Sequence, residues 1–281
     1  MSIQNNRLIA ILLAVYNGEN YLAEQLDSLY SQTNQDWTLY IRDDGSSDST
    51  IKILKEYSFK YANIVLIEDE LGNLKAKNNF LRLLELVDST YYMFCDADDV
   101  WYPNKIELSF NRMKQEEDSH PAKPIIVHTD FTMVDEKLNL ISASYFKSAG
   151  INPDTMKSYN YLGICSYVGG STMLFNHLVK AITFPVPEIV PMHDWWIGLN
   201  TIRQGGIIST IHQQTKAYRR HSNTVTQISN RSTKSFFLKL SNLKNVLILN
   251  YRNASLLKKI GYGPIYKYIF YKFLVLLKIR F

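Results

Sequence analysis

An α/β protein with a parallel sheet and helices on its faces is what the sequence predicts, on three observations. Short β-rich runs alternate with segments of helical period from the start of the chain. Three polar stretches, "YNGE", "DDGSSDST" and "DADD", each follow directly on such a run. The composition, 46% hydrophobic and 13% aromatic over 281 residues, is ample for a packed core and excludes a disordered chain.

The elements follow in order. "RLIAILLAVYN" reads as the first strand; its apolar stretch is eight residues long and lacks a cleavage site, so it is read as a core strand and not a signal peptide. "YLAEQLDSLYSQ" places Leu22, Leu26, Leu29 and Tyr30 on one helical face, and "WTLYIRDDGS" is the second strand. Cap residues ahead of Ile51, Leu54 and Tyr57 predict a helix beginning at Ser47 to Ser49. "NIVLIED" is the third strand, "NNFLRLLELV" a helix, and "YYMFCDAD" the fourth strand, with a helix from about Pro103, proline being permitted in a first turn. After "PIIVHTDFTMVDE", another strand, the pattern grows irregular through "SYVGGSTMLFN" and "MHDWWIGL", an α+β extension over the same sheet edge. Ligands of open parallel sheets bind beyond the carboxyl ends of the strands, so the three polar stretches should meet there.

Charge divides the chain. Residues 231–281 hold eleven Lys or Arg and no acid, whereas residues 1–230 hold 20 basic and 26 acidic side chains. In the tail, Phe236, Leu240, Leu243, Leu247 and Tyr251 form an apolar stripe with Lys239, Lys244 and Arg252 interspersed. Such a helix either packs on the body or lies on an anionic membrane surface. Nucleic acid is not a partner, because the body is acidic and no recognition module is present. Cys95 and Cys165 give no disulfide framework, which fits a reducing, cytoplasmic compartment. No run reaches the roughly 20 apolar residues of a spanning helix.

Asp96, Asp98 and Asp99 are the sharpest chemical signal. Neighbouring carboxylates repel and call for a cation or hydrogen-bond donors, and hard oxygen ligands suit Mg²⁺ or Mn²⁺. Asp43 and Asp44 belong to a turn that needs Asp, Gly and Ser anyway, yet either can point into the cleft toward a base or ribose, and Tyr16 can stack on a base or simply pack. His193, Asp194, Trp195 and Trp196 join a carboxylate, partly desolvated and so suited to a general base, to flat apolar faces for sugars or acyl chains; a capped helix start with core tryptophans is the structural alternative. Arg219 and Arg220 suit a diphosphate, and His221 a further metal contact.

Taken together, "AVYNGENYLAEQLDSLYSQT", "IRDDGSSDST", "DADDVWYPNK", "GGSTMLFN", "HDWW" and "YRRHSNTVT" resemble, in order and over residues 7–225, the family 2 inverting glycosyltransferases, and among them bacterial rhamnosyltransferases of cell-surface polysaccharide synthesis. The resemblance implies the GT-A fold, a Rossmann-like mixed sheet flanked by helices, over residues 1–230. Residues 1–125 would be the nucleotide-binding half and 126–230 the acceptor-binding half, with 231–281 a basic aromatic helical tail. It implies Tyr16 and Asp44 on the nucleotide base with Asp43 in support, Asp96 on ribose or metal, Asp98 and His221 on the divalent cation, and Arg219 or Arg220 on the diphosphate. Asp194 would be the catalytic base, and Gly170, Trp195 and Trp196 would lie on the acceptor side. It further implies dTDP-L-rhamnose or a UDP-hexose as donor and a lipid-linked saccharide acceptor at the inner face of the cell membrane. Ala97 stands where close rhamnosyl relatives carry glutamine, and His193 where many relatives carry glutamate.

Two other classes fit single features. "DADDV" behind an apolar strand also matches the aspartyl nucleophile of haloacid-dehalogenase-like phosphatases, although that motif lies on a first strand. The cationic tail alone would suit a non-catalytic nucleotide-binding scaffold at a membrane.

Overall fold

The computed structural model describes residues 3–4, 7–221 and 243–278. A small parallel pair joins β1 (Ile3–Gln4) to β5 (Val87–Asp88). The main sheet is built around β2 (Ile9–Val15), with β3 (Trp37–Asp43) and β6 (Tyr91–Asp96) parallel on either side and β4 (Ile64–Leu66) parallel beyond β3. Strand alternation splits β2 between two cores. Ile9, Ile11, Leu13 and Val15 face helices α1 (Leu22–Tyr30), α2 (Thr50–Lys60) and α4 (Lys105–Ser119) through Leu26, Leu54 and Met113. Ala10 and Leu12 face α3 (Lys75–Leu86) and α9 (His193–Arg203) through Phe80, Leu84 and Ile197. Burial on both faces is why this strand is apolar throughout rather than alternating.

Beyond β6 the sheet is mixed, not parallel as the alternation alone predicts. β10 (Met173–Asn176) runs antiparallel to both β6 and β8 (Ile125–Val134), β11 (Ile207–Arg219) is parallel to β8, and β7 (Val100–Trp101) closes the edge antiparallel to β11. With β9 (Leu140–Ser142) on β8, nine strands form one sheet among the described residues, and it continues through both predicted halves. Four residues of "MLFN" carry no signal of direction; the tertiary route decides it.

Helix α2 begins at Thr50, later than predicted, with Ser49 at the cap position and no side-chain cap. The expected cap residues are used otherwise. The Ser47 amide donates to Asn17 Oδ1 at 2.9 Å, and Asp48 accepts from the amides of Glu19 and Thr50.

In the tail, α10 (Leu243–Lys259) and α11 (Ile265–Lys278) pack one side on the body. Tyr262, 1% exposed, donates its hydroxyl to the Asn160 carbonyl, and its ring stands 2.5 Å from where a side chain on Gly163 would begin, so only glycine fits there. Ala254, Leu257, Tyr268 and Val275 join the core containing α9. Of the stripe read from Phe236 to Tyr251, Phe236 and Leu240 lie outside the described residues, and Tyr251 is exposed.

Candidate functional site

The three polar turns meet because their strands are parallel and in register: Val15 pairs with Asp43 and Ala14 with Asp96. The first two turns are also bonded together, Asn17 N to Ser46 Oγ and Gly18 N to Thr50 Oγ1, both at 2.8 Å. A side chain on Gly18 would come within 2.8 Å of Val15 Cγ2 and 3.7 Å of Ala97 Cβ, so glycine lets the first turn pass beside the acidic loop.

Each aspartate of that loop has a different partner. Asp96, half-buried, accepts from Ser171 Oγ at 2.6 Å. Asp98 Oδ2 lies 2.8 Å from His221 Nε2, which unites two residues 123 positions apart that the sequence assigned to one metal. Asp99 is fully buried, ion-paired with the Lys216 ammonium, and accepts from Ser171 Oγ at 3.4 Å. Ser171 also receives a hydrogen bond from Lys216, so one ammonium and one hydroxyl tie Asp99 to Asp96.

Electrostatics follows from that burial. Desolvation pushes the Asp99 carboxyl up to about 7 against the pull of Lys216, while Asp96 and Asp98 push the same way as burial. Asp98 is likewise raised, by burial and by Asp96, with His221 opposing. Burial acts downward on Lys216, but the carboxylates, Asp99 foremost, more than reverse it and hold the ammonium charged. Lys105, also fully buried, is pushed down to about 7 by desolvation and by the nearby Lys216 charge. Lys216 and Ser171 are the site residues that sequence reasoning missed. The available signals were a lysine inside the β-rich run "TKAYR" and a hydroxyl within "GGSTM".

Asp194 sits in the first turn of α9. It accepts from Gly170 N at 3.0 Å on Oδ2 and from its neighbour Trp195 N at 2.7 Å on Oδ1. Consecutive residues in the turn before β10 therefore hold the two carboxylates, Gly170 with Asp194 and Ser171 with Asp96. A side chain on Gly170 would meet His193 Nε2 at 3.0 Å and Asp194 Cβ at 3.5 Å, so glycine permits this approach. His193 is 3% exposed, lies between the rings of Phe80 and Phe94, and has no hydrogen-bond partner among the described residues. Burial lowers its pKa, leaving a neutral ring that packs as an aromatic.

Burial and hydrogen bonding bear on four of the expected contacts. Trp196 is 5% exposed and donates its indole N–H to the Thr183 carbonyl at 2.8 Å, so it belongs to the core and offers no face to a sugar. Trp195 is half-buried with its N–H on the Leu162 carbonyl, because a buried indole needs an acceptor. Arg219 is 2% exposed and braces the acidic loop instead of awaiting a diphosphate: it bonds the carbonyls of Asp98 and Glu136 and pairs with Glu24. Arg220 remains half-exposed. Asp44, 2% exposed, points inward, where it pairs with buried Arg42 at 2.7 Å and accepts from the amides of Leu74 and Lys75.

Asp43 is the more accessible of the pair. It accepts from Gly45 N and Ser46 N and lines a cleft of about 190 Å³ with Ile41, Leu54, Leu66, Ile67 and Asp69. Tyr16, 55% exposed, follows the adjacent strand and has a face available for stacking. A larger cleft of about 500 Å³, lined by Arg112, Glu116, His120 and Ile207 among others, contains none of the motif residues.

Comparison with known proteins gives the family and the fold. The chain is 38% identical over 99 residues to a dTDP-rhamnosyl transferase, RfbG of Shigella flexneri, covering 34% of each chain. It is 30% identical over 106 residues to the UDP-Glc:alpha-D-GlcNAc-diphosphoundecaprenol beta-1,3-glucosyltransferase WfgD of Escherichia coli, covering 38% of this chain and 41% of that one. The chain spans about half the length, or less, of the curated relatives it matches. In fold it is similar to the mannosyltransferase PcManGT of Pyrobaculum calidifontis, solved with GDP-Man and Mn²⁺, at a TM-score of 0.57 and 13% identity over 80% of this chain and 59% of that one. The fold is that of the GT-A glycosyltransferases. The family model described as glycosyl transferase family 2 matches residues 10–180, the span that carries the three polar turns, Gly170 and Ser171, and on this match the chain belongs to glycosyl transferase family 2.

Proposed function

We propose that the protein is an inverting, metal-dependent hexosyltransferase that moves L-rhamnose from dTDP-L-rhamnose to a hydroxyl of a lipid-linked saccharide, at the inner face of the cell membrane. The observation that carries the reading is the Gly170–Ser171 turn. It holds a carboxylate of base type, Asp194, one residue from the carboxylate, Asp96, that opens the acidic loop. A transferase needs this proximity, since nucleophile and leaving group act on opposite sides of one anomeric carbon.

Asp98 Oδ2 and His221 Nε2, 2.8 Å apart, form a carboxylate–imidazole pair that suits Mn²⁺ or Mg²⁺, although among the described residues no third His, Cys, Asp or Glu is grouped with them. When bound there, the cation supplies Lewis-acid stabilisation of the departing diphosphate. The protein does the remainder. Tyr16 stacks on the base, Asp43 lies beside it, and Asp44 fixes the floor beneath. Asp194 takes the proton of the acceptor hydroxyl as that oxygen bonds to the anomeric carbon and the bond to the diphosphate oxygen breaks, inverting the centre. Arg220, the more exposed arginine of its pair, faces the diphosphate role.

A UDP-hexose is the second donor reading, favoured by Ala97 in place of glutamine and by the likeness to WfgD. The phosphatase reading loses its ground because β6 lies between β2 and β10, inside a family 2 match.

The test is a donor panel measured as thermal shift with Mn²⁺ or Mg²⁺. With dTDP-rhamnose at about 100 times its Kd, stabilisation of about 2.7 kcal/mol is expected, and it vanishes with chelator. A larger shift with UDP-glucose or UDP-galactose reassigns the donor; no metal-dependent shift with any nucleotide sugar refutes the proposal. A second prediction concerns Gly170→Ala. The added methyl would meet His193 Nε2 at 3.0 Å, so His193 must give by a few tenths of an ångström directly beside Asp194, and turnover should fall by about 10² while donor affinity holds. Unchanged turnover would separate Gly170 from positioning the base.

A further inference from the structure

Helix α11 has two unlike sides. Tyr268 and Val275 are buried against the body, and Tyr271 accepts from Asn160 at 2.8 Å. At 3.6 residues per turn, Tyr266, Ile269, Phe270, Phe273, Leu276 and Leu277 fall within one arc of about 120° away from that side. All six are exposed, from 38% at Leu277 to 76% at Tyr266, and no polar residue interrupts the arc. Lys267 and Lys272 border it, one on each side. A helix already packed by its other face has no internal use for this stripe, and a contiguous exposed patch of this kind marks an interaction surface.

The helix has 14 residues, about 21 Å at 1.5 Å per residue, shorter than the roughly 30 Å of a bilayer's hydrocarbon. Among the described residues no helix is long and apolar enough to cross a membrane. Charge selects the occupant. In sequence the segment 231–281 carries eleven basic residues and no acid, and among the described residues Arg252, Lys258 and Lys259 on α10 are exposed. A second copy docked about a twofold axis would set this cationic segment against itself. Anionic lipid neutralises the charge and takes up the apolar side chains together.

We propose that the outward face of α11 seats the protein on an anionic bilayer, with the helix lying along the surface and its aromatic stripe in the headgroup–acyl boundary. The inference rests on the proposed function only for its lipid-linked acceptor, and the assay below uses neither donor nor acceptor, so the two readings fail separately.

The experiment is co-sedimentation of the full chain with phosphatidylglycerol–phosphatidylcholine vesicles and with pure phosphatidylcholine vesicles, at low and high salt. Wild type should bind the anionic vesicles and be weakened by salt and by neutral lipid. The double variant Phe270→Ser/Phe273→Ser should lose at least about tenfold in apparent affinity while keeping its melting temperature, since both side chains are exposed. Ile269→Ser/Leu276→Ser, on the same arc, provides a second variant should the first misfold. Binding by the variants equal to wild type, or indifferent to lipid charge, overturns the proposal. So does a wild-type dimer that the substitutions split into monomers without any vesicle binding by either.

Discussion

Asp194→Asn should abolish sugar transfer, lowering turnover by about 10² to 10⁴, while metal-dependent donor binding stays near the wild-type value. The substitution keeps the size of the side chain and an oxygen that can accept from Gly170 N or Trp195 N, so the start of α9 is retained. What it removes is the capacity to take a proton from the acceptor hydroxyl. In the proposed reading the donor is held elsewhere, at the strand ends carrying Asp43, Asp96 and Asp98, so its binding is expected to be indifferent. Single-turnover transfer and a donor thermal shift, measured on the same preparation, separate the two effects. Turnover preserved in the variant would remove Asp194 from the mechanism.

The largest effect on stability is expected at Lys216. Its ammonium is the buried counter-charge to Asp99, and it also donates to Ser171, which in turn holds Asp96. Lys216→Met leaves Asp99 buried without its cation, a change that costs about 3–5 kcal/mol in comparable pairs. The sign of the pH dependence follows from the carboxyl. Asp99 is already held up at about 7 by burial despite the pull of Lys216, and without that pull it rises further. The folded variant then binds a proton that the unfolded chain releases near the ordinary carboxylate value, so its stability falls as pH rises between the two. Urea unfolding should therefore show a larger deficit at pH 8 than at pH 5. Lys216→Met with Asp99→Leu should recover part of the loss, because it removes the stranded charge along with its partner. A double variant no more stable than the single one would mean that the pair is not coupled.

The buried pair also bears on the site. Lys216 reaches Asp96 only through Ser171, and Asp98 has its own partner in His221. The three aspartates thus divide into a fully buried brace, Asp99, and two half-buried carboxylates, Asp96 and Asp98.

Much of this architecture is legible in the chain. Runs such as "IAILLAV" and "YYMFC", short, bounded by polar turns and apolar at odd and even positions alike, read as strands covered on both faces, and they form β2 and β6. Parallel order then brings "YNGE", "DDGSSDST" and "DADD" to one edge, and the register of Ala14 with Asp96 and Val15 with Asp43 follows. The cationic tail and its apolar content are likewise composition, fixed before any folding.

Side-chain direction is decided only by the tertiary structure. Asp43 and Asp44 are neighbours of one type, yet strand alternation turns Asp44 onto buried Arg42 and leaves Asp43 at the cleft. Arg219 and Arg220 separate in the same way, the first into a brace under the acidic loop and the second toward the surface. Lys216 becomes the partner of Asp99 across 117 positions, a pairing that exists only because β7 and β8 lie on either side of β11. In the tail, the burial of Tyr268 and Val275 selects which side of α11 remains exposed. Residue types and their spacing thus determined by themselves which groups gather at the strand ends. Which of them stay partly exposed and which face one another was settled by packing, since a buried charge must find its counter-charge wherever the fold places it.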